Sequence, residues 1–319
     1  METTSDVLIN SKKTPYITHI IFSGGGLMGL CYLGIIRYMY IENMVKNIKF
    51  IAGTSIGAFF GIILALQIPI DFIENELDKI IRALSDNRDR YIKKINILQV
   101  FQKYGVYDIR FLMEPVVKYI KNEYGVNDLT FIEFVKKTGI NFYVSCTCVN
   151  TSYNKIFSVD TTPNSSVIET VLASMSIPFF IVPNYIDGEY FVDGVMSQGI
   201  QSDNIFLDVN KDNILGVMLY SSCEDMIVYE KNKSMSFANY IMGITQVIIN
   251  TIMFQSTRQM ELHDHYNVMQ MKDMPYNKVV KFKVNNDDIL IDLSIKDMED
   301  QILRGFIDIT KYMNERYNK

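Results

Sequence analysis

The sequence has little of what several protein classes require. Among its 319 residues it has no tryptophan, three histidines, six alanines and four cysteines, the last being Cys31, Cys146, Cys148 and Cys223. The cysteines show no metal-ligand spacing, so we expect no metal site and reduced, buried thiols in an intracellular compartment. The net charge of -5 at pH 7 offers no basic footprint, so no nucleic-acid partner is expected.

No secretory signal is visible at the start of the chain. Residues 1–16 carry Glu2, Asp6, Lys12 and Lys13, and they lack the apolar run that such a signal needs. Together with the cysteine usage, this predicts an intracellular protein that is cytoplasmic or peripherally associated with a membrane.

Two long uncharged stretches are open to confusion with membrane spans. Residues 50–70 are long enough to cross a bilayer, but they contain three glycines and a serine within a strand-to-helix pattern. Backbone that leaves helical geometry inside lipid would lose its hydrogen bonds, so we expect a buried strand and a buried helix. Residues 234–257 place polar and apolar side chains on opposite faces. They predict an amphipathic helix that packs on the core rather than one that lies on a membrane.

The chain is organised around a strand-turn-helix pattern at Ser55. Residues 48–51 predict a buried strand and a helix begins at Ile56, so Ser55 falls on the turn, with Gly53 and Gly57 two positions away. This is the pattern of a nucleophile elbow, whose strained backbone tolerates no β-carbon on its close neighbours. The helix dipole favours the anion formed in acyl transfer. A packed junction of small residues is the structural alternative.

A glycine-rich turn follows the first predicted strand, at residues 17–22. Its glycines, which precede a helix, are Gly24, Gly25, Gly26 and Gly29. Backbone N–H groups at a helix start form an anion site. The spacing also satisfies a dinucleotide-binding fingerprint, but that fold needs an acidic residue at the end of the second strand, which here ends in Ala-Gly-Thr-Ser. An oxyanion hole for an acyl intermediate is therefore the better interpretation.

Two Asp-Gly pairs lie close together near residue 190. Asp187-Gly188 separates two β-like runs at hairpin spacing, which predicts a structural turn. Asp193-Gly194 follows the returning strand and no further strand pattern comes after it. Asp193 is therefore free to project a carboxylate, and Gly194 allows close approach of the backbone.

The remaining patterns predict alternating helices and strands without a composition break. Helices are expected at 71–84, 108–124, 130–137, 165–175 and 294–317, and strands at 141–149, 155–159, 213–220 and 279–284. Residues 88–94 are polar and of mixed charge, which predicts a solvated loop.

Four motifs in register resemble the patatin-like phospholipase family over about residues 17–198. They are Gly-Gly-Gly-x-x-Gly, Gly-Thr-Ser-x-Gly, a late Asp-Gly, and Ala-Ser-x-x-x-Pro at Ala173, Ser174 and Pro178. The resemblance implies an α/β fold of three layers, α/β/α, with a mostly parallel central sheet. It also implies cleavage of acyl esters of phospholipids or other lipids, at a membrane surface and without a cofactor.

The same resemblance implies roles for individual residues. Ser55 becomes the nucleophile and Asp193 its partner in a Ser-Asp dyad, with an oxyanion hole at the N–H groups of Gly24, Gly25 and Gly26. The glycines that support the motifs are Gly29, Gly53, Gly57 and Gly194. Three positions depart from the family pattern, because it usually has an acidic residue at Ser23, often a basic residue at Met28, and Gly or Ala at Val195.

The resemblance also suggests a division of the chain. Residues 1–16 are expected to form a polar segment, 17–228 the catalytic domain, and 229–319 an extension of helices and strands packed on the same domain.

Two alternatives stand beside the dyad hydrolase. His263 and His265 follow Asp193 in the chain order of a Ser-Asp-His triad, although they lie in a polar stretch where solvated histidines are common. The other alternative is a catalytically inactive lipid-binding or scaffold protein on the same fold. Retention of both Ser55 and Asp193 argues against it, because a binding protein needs neither.

Overall fold

The structure is a computed structural model. It describes residues 16–86, 93–94, 101–197, 206, 208–219, 240–241, 243–245, 247–248, 251–252, 267–271, 281–285, 288–292 and 294–317. These residues form a mixed, mostly parallel sheet with helices on both sides, so the expected α/β/α class is confirmed.

The described elements include most of the expected helices and strands, together with strands at Lys93–Lys94, Asn267–Met271 and Asp288–Asp292, which the sequence patterns did not predict. The strands are β1 (His19–Phe22), β2 (Phe50–Thr54), β3 (Lys93–Lys94), β4 (Asn141–Cys148), β5 (Tyr153–Phe157), β6 (Asn184–Ile186), β7 (Glu189–Asp193), β8 (Ile214–Leu219), β9 (Asn267–Met271), β10 (Lys281–Asn285) and β11 (Asp288–Asp292). The α-helices are α1 (Cys31–Ile41), α2 (Ile56–Ala65), α3 (Ile70–Asp86), α4 (Glu114–Tyr124), α5 (Phe131–Thr138), α6 (Val167–Ser174) and α7 (Ile295–Tyr317). Short 3-10 helices occur at Gly26–Leu30, Val45–Asn47, Arg110–Met113, Gly194–Met196 and Lys211–Asn213.

The main sheet has the strand order β6-β7-β4-β2-β1-β8-β9, and β5 also pairs with β4. The pairs that join β4, β2, β1, β8 and β9 are parallel, whereas the pairs made by β5, β6 and β7 are antiparallel. A second sheet has the order β10-β11-β3. In the parallel part, the carboxyl ends of successive strands share one edge, which is where ligands bind in open α/β sheets.

The uncharged stretch 50–70 contains a strand followed by a helix, as expected. Every residue of α2 after Ile56 is buried, because this helix packs on the central strands. Gly61 allows that approach, since a β-carbon there would lie 2.9 Å from the ring of Phe142 on β4. Among the described residues, no helix is both long and apolar enough to cross a membrane.

The last helix, α7, packs against α1 near the start of the chain. The two helices approach at glycines: a β-carbon on Gly34 would lie 2.7 Å from the backbone nitrogen of Phe306. In the same way, a β-carbon on Gly305 would lie 2.8 Å from the carbonyl carbon of Cys31. The two helices can approach this closely only because the residues at positions 34 and 305 have no side chain.

Two predictions about local structure need correction. The solvated loop expected at 88–94 contains β3. This strand pairs with β11, which lies almost two hundred residues later in the sequence. The single helix expected at 108–124 is a 3-10 turn followed by α4, whose first turn holds Pro115. Proline lacks an N–H donor and is tolerated in the first turn, so the α-helix begins just before it.

The stretch expected to form an amphipathic helix is helical at its described positions between 240 and 252. The prediction that its apolar face packs on the core is wrong at Ile244 and Ile248, which are 44% and 40% exposed. Thr245 is the buried position between them.

Candidate active site

The glycine turn and Ser55 lie side by side at the carboxyl edge of the sheet. β1 and β2 are parallel neighbours, and Phe22 at the end of β1 lies opposite Gly53 on β2. The segments that leave these strands, residues 23–26 and Ser55, therefore emerge together. A β-carbon on Gly24 would lie 3.3 Å from Cβ of Ser55, which measures how closely they approach.

Ser55 has the backbone geometry of a nucleophile elbow. Its φ of 55° and ψ of −129° fall in a region that residues other than glycine rarely adopt, and it precedes the first residue of α2. A β-carbon on Gly53 would lie 2.5 Å from Cα of Ala58, and one on Gly57 would lie 2.6 Å from the carbonyl oxygen of Ser23. Both glycines are thus required because backbone crosses backbone at this turn.

Of the glycines after β1, Gly24 and Gly25 precede a 3-10 helix that begins at Gly26 and leads into α1. Gly26 has a φ of 55°, and Gly29 packs so closely on Ile56 that a β-carbon there would lie 2.6 Å from its Cγ2. Within the part of the chain that the structure describes, the N–H groups of Gly24, Gly25 and Gly26 donate no hydrogen bond to another protein group. Three backbone donors therefore remain available beside Ser55.

Asp193 reaches Ser55 from β7, which is separated from β2 by β4 in the sheet. It ends β7, which pairs with β4 in an antiparallel ladder that sets Asp193 opposite Cys146. The hydroxyl of Ser55 donates a hydrogen bond of 2.6 Å to Oδ2 of Asp193, and the N–H of Val195 donates one of 2.9 Å to Oδ1. Gly194 is needed for this path, because a β-carbon there would lie 2.8 Å from the carbonyl carbon of Ser145.

The carboxyl group of Asp193 lies in a desolvated environment. Asp193 is only 2% exposed and Ser55 only 5%. Burial raises the pKa of Asp193 to about 7, although the hydrogen bonds from Ser55 and Val195 favour the charged form and partly oppose the shift. A carboxylate with a pKa near neutrality, in contact with a serine hydroxyl, is suited to accept its proton.

The site contains two serines whose contacts the sequence did not reveal. The hydroxyl of Ser174, at the end of α6, accepts a 2.8 Å hydrogen bond from the N–H of Ser55 and donates one of 2.6 Å to the carbonyl oxygen of Ser145. Both Ser174 and Ser145 are fully buried. The Ala-Ser-x-x-x-Pro motif marked Ser174, but its spacing alone does not show which backbone group it binds.

The three positions that depart from the family pattern are apolar or neutral in their contacts. The Ser23 hydroxyl donates to the carbonyl oxygen of Gly24 and accepts from the N–H of Leu219, each at 2.9 Å. Met28 is buried, and its thioether carries no positive charge that could bind a phosphate. Val195 packs on Gly24 so closely that any β-carbon there would collide with its Cγ2.

No described residue of the site supports a histidine-containing triad, a role for Asp187 in place of Asp193, or a metal ion. His263 and His265 lie outside the described residues. His19 lies at the opposite end of β1, where its ring stacks on Phe50 with centroids 4.4 Å apart, and burial lowers its pKa to about 4. Asp187 occupies the turn between β6 and β7, as predicted, with a φ of 51°. Among the described residues, no cluster of His, Cys, Asp or Glu could hold a metal ion.

The sequence is similar to those of a viral protein and a yeast lipase. The chain is 23% identical over 294 residues to the uncharacterized protein R571 of Acanthamoeba polyphaga mimivirus, covering 90% of this chain and 94% of that protein. It is 28% identical over 196 residues to triacylglycerol lipase 3 of Saccharomyces cerevisiae, covering 53% of this chain. The chain thus spans nearly the whole viral relative but 29% of the yeast lipase.

A solved structure and a family model agree on the fold. VipD from Legionella pneumophila superposes with a TM-score of 0.53 at 15% identity, covering 95% of this chain and 67% of that one. The model described as "Patatin-like phospholipase" matches residues 20–201, which include both the Ser55 elbow and Asp193. Since this match takes in more than half of its residues, the chain belongs to the patatin-like phospholipase family.

Proposed function

We propose that this protein hydrolyses carboxylic esters of lipids, with Ser55 as the nucleophile and Asp193 as its base. The observation that carries the proposal is the 2.6 Å hydrogen bond from the hydroxyl of Ser55 to Oδ2 of Asp193. Membership of a phospholipase family, and similarity to a protein named as a triacylglycerol lipase, support a lipid ester as the substrate.

In the first half of the reaction, Oγ of Ser55 attacks the ester carbonyl carbon while its proton passes to Oδ2 of Asp193. The carbonyl oxygen becomes an oxyanion, and its collapse expels the alcohol, which takes the proton from Asp193 as it leaves. The products of this half are a free alcohol and an acyl-Ser55 ester.

The oxyanion is stabilised by backbone N–H groups of the glycine turn. The N–H of Ser55 is already bonded to Ser174, so it is not available to the substrate. Gly24, Gly25 and Gly26 supply donors without a protein acceptor among the described residues, and Gly24 lies directly beside Ser55. Loss of one such donor costs about 10²–10³ in kcat in other hydrolases.

In the second half, a water molecule attacks the acyl carbon and gives a proton to Asp193. The tetrahedral intermediate collapses, the fatty acid leaves, and Asp193 returns the proton to Oγ of Ser55. The same carboxyl group thus acts as base and then as acid in both halves. Its pKa near 7 suits both tasks, because neither protonation state is strongly disfavoured at neutral pH.

The test compares the wild type with Ser55→Ala, Asp193→Asn and Asp187→Asn. Each is assayed on a short-chain acyl ester and on mixed phospholipid vesicles, and each is treated with a serine-directed fluorophosphonate probe. We expect Ser55→Ala to lose both labelling and turnover, and Asp193→Asn to lose about 10²–10⁴ in kcat. Asp187→Asn is the matched control, because its carboxyl group lies in the β6–β7 turn, and it should retain activity.

A wild-type protein that neither labels nor turns over either substrate would overturn the proposal. Vesicle binding without turnover would then favour the inactive lipid-binding protein. Turnover that survives in Ser55→Ala would show that another group is the nucleophile.

A further inference from the structure

The end of α6 and the two residues after it hold the backbone of both reaction residues. The hydroxyl of Ser174 accepts the N–H of Ser55 at 2.8 Å, and the carbonyl oxygen of Ser176 accepts the N–H of Asp193 at 2.9 Å. Residues 174 and 176 are both buried, so neither bond competes with solvent. Ser55 follows β2 and Asp193 ends β7, and these two strands are separated in the sheet by β4. Residues 174–176 thus connect the ends of β2 and β7, two strands that do not pair with each other.

Ser174 is also tied to the strand between them. Its hydroxyl donates to the carbonyl oxygen of Ser145 on β4, and Ser145 lies opposite Thr54 in the parallel β2–β4 ladder. With one donor bond and one acceptor bond, the hydroxyl has a fixed orientation. It therefore connects the nucleophile turn to the strand that also pairs with β7.

The Ser55 backbone needs such a restraint. Its φ of 55° and ψ of −129° are strained for a residue that carries a β-carbon, and strained geometry persists when its surroundings over-determine it. The hydrogen bond from its N–H fixes the peptide plane before Ser55, and so the direction of Cβ and Oγ. A displacement of about 1 Å at a reacting atom costs about 10²-fold in rate.

We propose that Ser174 is a positioning residue, whose hydroxyl holds the Ser55 backbone so that Oγ meets both Asp193 and the substrate carbonyl. This inference rests on the proposed function, because it assigns Ser174 a role in the same reaction. Ser174 touches no reacting atom, so its removal should lower kcat and leave KM nearly unchanged.

The experiment compares Ser174→Ala with Thr170→Val, a control one helical turn earlier. Thr170 is fully buried, and its hydroxyl donates to the carbonyl oxygen of Ser166 at 2.7 Å, so the control removes an equally buried hydroxyl from the same helix. We expect Ser174→Ala to lower kcat about 10–100-fold with KM within about twofold. Fluorophosphonate labelling should slow by the same factor, and Thr170→Val should match the wild type in both.

Two further variants separate positioning from folding. Ser174→Thr keeps the hydroxyl and should recover most of kcat, whereas Ser174→Cys keeps the volume with a weaker hydrogen-bonding group and should stay slow. A Ser174→Ala protein that melts earlier but keeps its kcat per folded molecule would overturn the proposal. If Ser174→Ala does not fold, an unchanged kcat in Ser174→Cys would overturn it equally.

Amide hydrogen exchange at Ser55 tests the tether without turnover. We expect exchange of this amide to be at least about tenfold faster in Ser174→Ala or Ser174→Cys than in Thr170→Val, because its acceptor is lost or weakened. Equal exchange rates would reject the tether. If the wild type is inactive but exchange of the Ser55 amide still speeds up in the Ser174 variants, the hydrolase proposal would be rejected. The structural role of the tether would be retained.

Discussion

Asp193 lies opposite Cys146 in the antiparallel ladder between β7 and β4. Both side chains are buried, and burial, followed by the charge of Asp193, raises the pKa of the Cys146 thiol well above its ordinary value. The thiol therefore stays neutral beside the carboxyl group and does not help to keep it charged. Desolvation is left as the main influence on Asp193, and its consequences for pH dependence can be measured.

The first prediction concerns activity as a function of pH. Because the proposed reaction needs the carboxylate form of Asp193, kcat/KM on an uncharged short-chain ester should rise to a plateau above about pH 7. Well below that value it should fall about tenfold per pH unit, as the fraction of base falls. A pH–rate profile checks this, and a plateau that extends down to pH 4 would contradict it.

The second prediction concerns stability as a function of pH. Because the pKa of Asp193 is raised from 3.8 to about 7 in the folded protein, its favourable contribution is complete below pH 3.8 and lost as pH rises through 7. Asp193→Asn removes that loss. The free energy of unfolding of Asp193→Asn minus that of the wild type should therefore increase from pH 4 to pH 7, by at most about 1.4 kcal/mol per pH unit. Urea unfolding at pH 4, 6 and 8 measures it, and a constant difference would contradict it.

The third prediction concerns the space beside the nucleophile. Gly24→Ala would push its new β-carbon into Val195 and to 3.3 Å from Cβ of Ser55. The glycine turn must then shift, and kcat should fall by about 10²-fold or more, as when an oxyanion donor is lost. Val195→Ala removes the atom that collides first, so the double variant should recover part of the loss. Equal losses in the single and double variants would show that Val195 does not set this space.

The fourth prediction concerns the contact between α1 and α7. Gly305→Ala should lower the free energy of unfolding by about 1–3 kcal/mol, because its β-carbon would meet the backbone of Cys31. If residues 229–319 pack on the catalytic domain, as we propose, helicity and fluorophosphonate labelling will be lost in one transition. Leu303→Ala is the control, since Leu303 lies exposed on α7 and should change stability by less than about 0.5 kcal/mol. Loss of helicity before labelling would mean that the extension unfolds separately.

The fifth prediction concerns the two late histidines. In a triad the serine hydroxyl bonds to an imidazole, whereas here it bonds directly to Asp193. Replacement of both His263 and His265 by glutamine should therefore leave kcat/KM within about threefold, since imidazole catalysis is normally worth about 10²–10⁴. A thousandfold loss would favour the triad.

Features encoded by neighbouring residues were predictable from the sequence. The turn at Asp187-Gly188 and the elbow at Ser55 each depend on a few adjacent side chains. The separation of the two Asp-Gly pairs was possible for the same reason, because one pair lies between strands and the other ends one.

Features that depend on distant partners were missed. β9 and β11 mix polar or acidic residues into short strands, so their patterns indicate little until β8 and β10 lie beside them. The bond between Ser174 and Ser55 joins residues 119 positions apart, and no local periodicity encodes it. Motif order could place Ser55 and Asp193 in one site, but it could not identify the residues that hold them there.

The strand order has a consequence for when the protein becomes reactive. Ser55 and Asp193 are 138 positions apart, and closing a loop of that length costs about 4 kcal/mol of chain entropy. A single hydrogen bond to a charged group returns about 1.5–3 kcal/mol, so the pair cannot assemble by its own attraction. It forms when β7 joins β4. A growing polypeptide that ends at β5 therefore carries Ser55 and the glycine turn without Asp193. On the proposed function, it gains esterase activity only after β7 has been synthesised and has paired with β4.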